Sequence, residues 1–380
     1  MHTLRFMTQK TEVIVAGLGA MGSATLYHLA RRGVAAIGFD RFAPPHALGS
    51  THGLSRIIRE AYYEHPLYVP LVRRAYALWA DLERRSGRRL FQATGGLMIG
   101  PRDGVLVAGA LRSATEHALP YELLDAGLAR QRFPAFQVPD DVVALLEPRA
   151  GVLDPEGCVD AHLTLAQAAG ASVHRDESID AWESDGTGVH VATHRGAYDA
   201  SRLVICAGAW APRLVRSASV QLQVERQVMH WFAPARDASL FAPERCPIAM
   251  WEHEADRMFY VLPDTGAGVK AAIHHDGIVT DADRVRRTVD EGEVTRVRTL
   301  LQQYLPAANG ELRRSAVCLY TNTSDHHFLI DTHPDHEEVL VVSACSGHGF
   351  KFASAIGEVA TDLVTGSRPA FDLSLFRMRP

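Results

Sequence analysis

The stretch EVIVAGLGAMGSATLYHLARRGVAAIGFD, residues 12–40, decides the fold. Glu12 to Ala16 is a short apolar run of the kind a buried parallel strand uses. Gly17, Gly19 and Gly22 follow in the spacing G-x-G-x-x-G. Ser23 to Arg32 has helical character, Gly33 suits the position that ends a helix, and Val34 to Phe39 reads as a second strand. Asp40 closes that strand, 23 residues beyond Gly17. Strand, turn, helix and strand make one βαβ unit. Gly17 permits the tight turn, Gly19 lets the backbone approach a pyrophosphate, and Gly22 lets the helix pack close to the sheet. The helix N-terminal amides and dipole favour the anion. Asp40 is placed to accept hydrogen bonds from a ribose diol, which argues against a 2′-phosphate and so against NADP. The motif alone leaves NAD and FAD both open.

Outward from this unit, Arg41 to Arg59 is irregular and rich in Gly, Pro, His and Ser. Tyr68 to Ser86 is expected to be an amphipathic helix, and Asp160 to Gly170 a second helix. Val189–Thr193 and Leu203–Cys206 read as strands, with a turn at Gly196. From Gln223 to Ile278 the stretches VERQVMHWF and RMFYVLP alternate with period two, as an antiparallel sheet does. Asp281 to Tyr304 reads as a charged helix, Val339 to Ser343 as a strand, and Ala353 to Thr365 as a helix ending at Gly366. The expected fold class is α/β, with α+β character. It has a Rossmann-like domain built from discontinuous segments (8–88, 150–220 and 318–380) and an inserted antiparallel-sheet domain (89–149 and 221–317).

Composition narrows the function. The chain of 380 residues is 47% hydrophobic and 22% charged, with a net charge of -5. A basic face for nucleic acid is not expected. No apolar run approaches the ~20 residues that cross a bilayer. The opening MHTLRFMTQK lacks the apolar core of a signal peptide, and Met7 offers a second start, so a cytoplasmic location is expected. Cys158, Cys206, Cys246, Cys318 and Cys345 form no CxxC pair, and the 19 histidines show no metal-ligand spacing. Neither a disulfide framework nor a metal is expected.

Six blocks — GLGAMG, PPHALGSTHGLSRIIR, YVPLVRRA, VICAGAW, CLYTNTSDHHFLIDTHP and SGHGFKFASAIGE — run in this order over nearly the whole chain. Together they resemble the monomeric sarcosine oxidase and N-methyltryptophan oxidase family, FAD enzymes of the glycine-oxidase/D-amino-acid-oxidase fold. The resemblance implies FAD as cofactor, bound through the cysteine matching Cys318 as an 8α thioether. Such attack needs a thiolate, which nearby cations favour; Arg313 and Arg314 are close in sequence. Lys270 matches the lysine where oxygen reacts. A fixed ammonium stabilises the superoxide that forms in a low-dielectric site. Arg59 and Lys351 match the pair that holds the substrate carboxylate, a bidentate fork and a point charge. Arg56 matches an arginine on the opposite flavin face, with His52 beside it.

His274, Tyr260 and Tyr320 match residues around the substrate amine, and His348, between Gly347 and Gly349, adjoins them. The same likeness extends the cofactor contacts to Ala20, Met21 and Arg41, to Ser50 and Thr51, to Ala207, Gly208 and Trp210, to the backbone of Ile179, and to Gly347, His348, Gly349 and Lys351. Two departures stand out: where the family has GSHHGDTR, this chain has GSTHGLSR, placing Thr51 for a histidine and Leu54 for an acid. The segment before Lys270 is also one residue shorter.

The implied activity is oxidation of an N-methyl or cyclic secondary α-amino acid, with O2 reduced to hydrogen peroxide by a monomer. Three alternatives stay open at this point. A flavin dehydrogenase would use another acceptor, an NAD-linked dehydrogenase would be colourless, and a non-catalytic module would release no peroxide.

Overall fold

A computed structural model describes residues 8–378; Met7 lies outside them. The first strand, Gln9–Ala16, lies between Gly196–Ile205 and Ala36–Phe39 and is parallel to both. An eight-stranded sheet grows around it. Ser172–His174 adds in parallel to Ala36–Phe39, and His336–Ser343 in parallel to Gly196–Ile205. Hairpins extend it through Ile179–Ser184, Val189–Thr193 and Leu329–His333. Helix Ala20–Arg31 packs against helices Pro155–Ala168 and Ala353–Val364. Gly33, at φ 75°, follows the helix in the left-handed region, as expected of it.

The second sheet has nine strands. Gln223–Phe232, Val269–Ile273, Arg257–Leu262 and Ile248–Glu254 are antiparallel neighbours in that spatial order. Leu312–Asn322 flanks Gln223–Phe232. Beyond Ile248–Glu254 comes Gly96–Gly100, paired in parallel, then Val143–Glu147 and Glu122–Leu124. Helix Glu291–Tyr304 covers a core on one face, where Trp251 and Tyr304 meet at 4.4 Å between ring centroids. A small third sheet joins Arg56–Ile58, Gly151–Leu153 and Phe91–Ala93.

Three expectations are corrected here. The helix expected over 281–304 begins only at Glu291. Asp290 accepts from the Glu293 amide at 2.9 Å and Glu293 accepts from the Asp290 amide at 2.9 Å, a reciprocal cap that fixes the start. The helix expected from Asp160 starts at Pro155, because Asp154 caps it through the Gly157 amide. Gly196 opens a ten-residue strand and pairs with Thr193 across a two-residue turn, so it lies beside the turn and not in it. Among the described residues no helix is long and apolar enough to cross a membrane. None of their His, Cys, Asp and Glu side chains gather in threes fit for a metal.

Candidate active site

A cavity of about 530 Å³ runs from the glycine turn to the loop at residues 347–351. At its first end Gly17 stands at φ 91°, and a Cβ there would come within 2.7 Å of the Cys206 carbonyl oxygen. At Gly22 a Cβ would lie 1.7 Å from the Gly17 oxygen. Both positions are closed to any side chain. At Gly19 a Cβ would meet only Thr51 Oγ1, at 3.5 Å, so the backbone here fronts open space. Helix Ala20–Arg31 starts there with no side-chain cap and no acid in its first turn. Its free amides and dipole suit an anion. Asp40 is held rigidly: Oδ2 accepts from the Leu18 amide at 2.8 Å and Oδ1 from the Phe42 amide at 2.9 Å. These features fit the pyrophosphate and ribose of a dinucleotide.

The strand Gly196–Ile205 ends in the second turn, where Ala207, Gly208 and Trp210 line the cavity. Asp283 gathers this rim, accepting from Trp210 Nε1 and Arg41 Nη1 at 2.7 Å each and pairing with Arg213. Ile179 lies in the same wall. Ala20, Met21, Arg41, Ser50 and Thr51 complete this end. The Thr51 hydroxyl accepts from the Ala20 amide at 3.3 Å, so this departure from the family pattern still supports the helix start. Nothing in the structure explains Leu54, which is exposed at φ 66°.

The other end is built by strand alternation. On Val269–Ile273 and its continuation, Lys270 and His274 fall on one face, four residues apart. On Leu312–Asn322, Cys318 and Tyr320 share a face in the same way. Tyr260 comes from the strand paired with Val269–Ile273. All five side chains line the cavity. Lys270 is 2% exposed, and its Nζ donates to the Gly53 and Ser55 carbonyls at 3.0 and 2.8 Å. Burial, then repulsion by Arg56, pulls its pKa well below the ordinary lysine value. Arg56 Nη2 donates to the Ser50 carbonyl at 2.8 Å and reaches Cys318 Sγ at 3.7 Å.

The cation beside Cys318 is therefore Arg56. Arg313 turns to Asp264 and Arg314 lies over the Trp231 ring, contrary to the expectation from sequence proximity. At ~3.3 Å of rise per strand residue, four residues carry Arg314 more than 10 Å along the strand.

Arg59 is buried, and its Nη2 pairs with both Glu64 oxygens at 2.9 and 2.8 Å. Its guanidinium lies 4.3 Å from the Tyr62 ring centroid. Burial alone would raise the Glu64 carboxyl; Arg59 overrides it and holds the carboxyl low. Lys351 Nζ donates to the His348 carbonyl at 2.7 Å and the Tyr62 hydroxyl at 3.4 Å, while Trp79 Nε1 pins the Lys351 carbonyl at 2.9 Å. Burial, then Arg59, brings the Lys351 pKa down to about 7. His348 Nε2 donates to the His326 carbonyl at 3.0 Å, so its Nδ1 accepts from Tyr62, at 2.6 Å. At Gly347, φ 76°, a Cβ would come within 2.6 Å of the His274 and Tyr320 rings, and a Cβ at Gly349 would strike the Ala344 oxygen at 1.7 Å.

Two of the expected residues do not reach the lining. Gly22 acts behind it, through packing. His52 is 2% exposed, and burial, then Arg56 and Lys270, pulls its pKa to about 3. Sequence reasoning missed Glu64, Asp283 and Glu156, whose Oε1 accepts from the Gly53 amide at 2.7 Å. Glu64 lies five residues from Arg59, a separation that by itself signals nothing. Asp283 and Glu156 act across 70 and 103 residues of chain, and no local pattern marks them.

A dinucleotide cradle joined in one cavity to buried cations, a thiol and paired tyrosines defines a redox enzyme of the flavin class. The chain belongs to the FAD dependent oxidoreductase family, whose model matches residues 12–363. It is 42% identical over 377 residues to the monomeric sarcosine oxidase of Streptomyces avermitilis, covering 98% of each chain. It is 36% identical over 371 residues to the N-methyl-L-tryptophan oxidase of Salmonella newport, covering 97% of this chain and 98% of that one. Among solved structures it resembles NikD, an unusual amino acid oxidase essential for nikkomycin biosynthesis, with a TM-score of 0.84, 25% identity and 98% of each chain covered. L-Proline dehydrogenase from P. horikoshii, at 20% identity, covers 98% of this chain and 97% of its own with the same TM-score, and shares the fold.

Proposed function

We propose that the protein oxidises the C–N bond of a secondary α-amino acid, N-methyl or cyclic, and that O2 is the acceptor, giving hydrogen peroxide. The observation that carries this reading is the meeting, in one cavity, of the dinucleotide cradle with Lys270, Arg59 and Lys351. The relatives' names as sarcosine and N-methyltryptophan oxidases support it. When bound, FAD supplies the redox chemistry, taking a hydride equivalent from the carbon beside the amine and passing two electrons to O2.

The protein supplies position and field. Arg59 and Lys351 hold the substrate carboxylate, which selects amino acids over plain amines. Tyr260, Tyr320 and His274 wall the amine, and Lys270 stands ready for the anion that oxygen becomes. The cations disfavour a protonated amine, leaving its lone pair free. Segments 8–88, 150–220 and 318–380 serve the cofactor, and 89–149 with 221–317 the substrate. Sheet membership supports this division, although Leu312–Asn322 spans its last boundary. The reading includes a monomer in the cytoplasm. Peroxide release from purified yellow protein, screened against sarcosine, N-methyltryptophan, pipecolate and proline, tests it. Silence across the panel would overturn it.

Cys318 is the proposed attachment point. Its thiol is buried, contacts Arg56 and lies 3.5 Å from the Ser50 carbonyl. Acid precipitation is expected to leave the flavin in the pellet for the native protein and in the supernatant for Cys318→Ser. Flavin released from the native protein would remove Cys318 from this role.

A further inference from the structure

The strand that carries Arg56 ends one residue before Arg59. Arg56–Ile58 pairs with Gly151–Leu153, and its last rung joins Ile58 to Gly151. The chain then leaves the sheet but stays buried at Glu60 and Ala61. Buried amides need acceptors. Glu147, itself buried, supplies both: Oε1 accepts from the Glu60 amide at 2.6 Å and Oε2 from the Ala61 amide at 2.8 Å. Glu147 is the last residue of strand Val143–Glu147, where it pairs with Gly96 in the nine-stranded sheet. One carboxylate of that sheet thus takes two successive amides of the loop that follows Arg59.

The guanidinium leans on the same loop. Arg59 Nη1 donates to the Ala61 carbonyl at 2.9 Å, and Nη2 pairs with Glu64. Its buried Nε has no hydrogen-bond partner among the described residues. The Ala61 residue is therefore held from both sides, its amide by Glu147 and its carbonyl by Arg59. Further along, Ser113 Oγ donates to the Tyr62 carbonyl at 2.5 Å, and a Cβ at Gly109 would come within 2.4 Å of the Tyr63 carbonyl oxygen. Both lie on helix Val105–Glu116. Arg149 pairs with the Glu60 carboxylate at 3.3 Å. These anchors all come from residues 109–149, and none of them lines the cavity. The place of Arg59 in the cavity is set from outside it.

We propose that Glu147 is a positioning residue for substrate binding: by holding the Glu60 and Ala61 amides it fixes where the Arg59 guanidinium meets the substrate carboxylate. The proposal rests on the reading above that Arg59 binds that carboxylate. A glutamine of the same shape accepts from one amide only and turns its NH2 toward the other donor. Residues 60 and 61 must then shift, and the Ala61 carbonyl takes Arg59 Nη1 with it.

The test measures propionate binding by flavin absorbance in the holoenzyme at pH 8. Lys351 is mostly neutral there, because burial and Arg59 bring its pKa to about 7, so the affinity reads Arg59. Glu147→Gln is expected to raise the Kd about tenfold, the effect of one buried donor left without its acceptor. A merely structural fault would weaken binding whatever stands at position 59. A cycle with Arg59→Lys separates the two cases. Lysine keeps a charge facing Glu64 but loses the fork, and should itself weaken binding. If Glu147 acts through Arg59, the double variant should bind little worse than Arg59→Lys alone; independent effects would multiply. Where Glu147→Gln yields no folded flavoprotein, Glu147→Asp replaces it. Aspartate keeps both acceptor oxygens but sets them back by one methylene, so it should weaken propionate and show the same coupling. Unchanged affinity in the Glu147 variants, or effects that multiply, would overturn the positioning role. Arg59→Lys binding propionate as tightly as the native protein would overturn the Arg59 reading, and the positioning role with it.

Discussion

Lys270→Met is expected to slow the reaction of the substrate-reduced enzyme with O2 by about 10²–10³-fold, the usual effect of removing one fixed stabiliser of developing negative charge. Reduction by substrate should change by less than about twofold, since the ammonium serves an anion that exists only in the oxygen step. Two of its donors are used by the Gly53 and Ser55 carbonyls. These fix the charge in place before oxygen arrives. The sign with pH follows from the depressed pKa. As pH rises through that value the ammonium is lost and the native oxygen reaction slows; the methionine variant should show no such inflection. Removing the amine also strands two buried carbonyls, at about 1–3 kcal/mol each, so a lower Tm is expected. Stopped-flow mixing of reduced enzyme with oxygenated buffer measures the rate. An unchanged rate would remove Lys270 from this role.

The second large effect belongs to Lys351. Lys351→Met should weaken binding of a carboxylate by about 10–150-fold, equivalent to about 1.5–3 kcal/mol for a charge-assisted hydrogen bond. The cleanest probe is a carboxylate without an amine, such as propionate, because the amine's own ionisation then plays no part. With burial and Arg59 bringing Lys351 to about 7, its amine in the free site is cationic below that pH and neutral above it. Native affinity should fall as pH rises through about 7, whereas the variant's affinity should be lower and flat there. Titration of the flavin absorbance with propionate at several pH values reads both. Arg59 keeps its charge throughout, but Glu64 already holds its Nη2. Lys351 is therefore the member of the pair whose contribution varies with pH.

The βαβ unit at 12–40 was legible in the sequence because its signals are local: an apolar run, three glycines and an acid, all within one stretch; the polar residues 9–11 that begin its first strand carry no such signal. Helix Tyr68–Ser86 was legible by periodicity, and its bounds agree with the expectation. Helix Glu291–Tyr304 was misjudged at its start, since charged residues between 281 and 290 mimic a polar helix until the Asp290–Glu293 cap is considered. The site divides along the same line. Cys318, Lys270 and Lys351 were found by resemblance; strand alternation then explains how Lys270 and Cys318 come to face one cavity. Glu64 and Asp283 were not found, because their roles come from tertiary approach. Arg313 and Arg314 are near Cys318 in sequence, but an extended strand carries residues four and five apart more than about 10 Å from one another, and Arg313, an odd number of residues away, also points to the other face.

The sequence holds only three lysines, Lys10, Lys270 and Lys351, and two of them are buried in the cavity. Reagents that acylate amines thus find one exposed lysine among the described residues, Lys10. They reach Lys351 only through the cavity mouth, and there they meet an amine that is partly neutral near pH 7 and so nucleophilic. Labelling at Lys10 then serves as an internal standard for labelling at Lys351. The ratio of the two, read by peptide mass, becomes a ruler of how full the cavity is, usable with ligands that are never turned over.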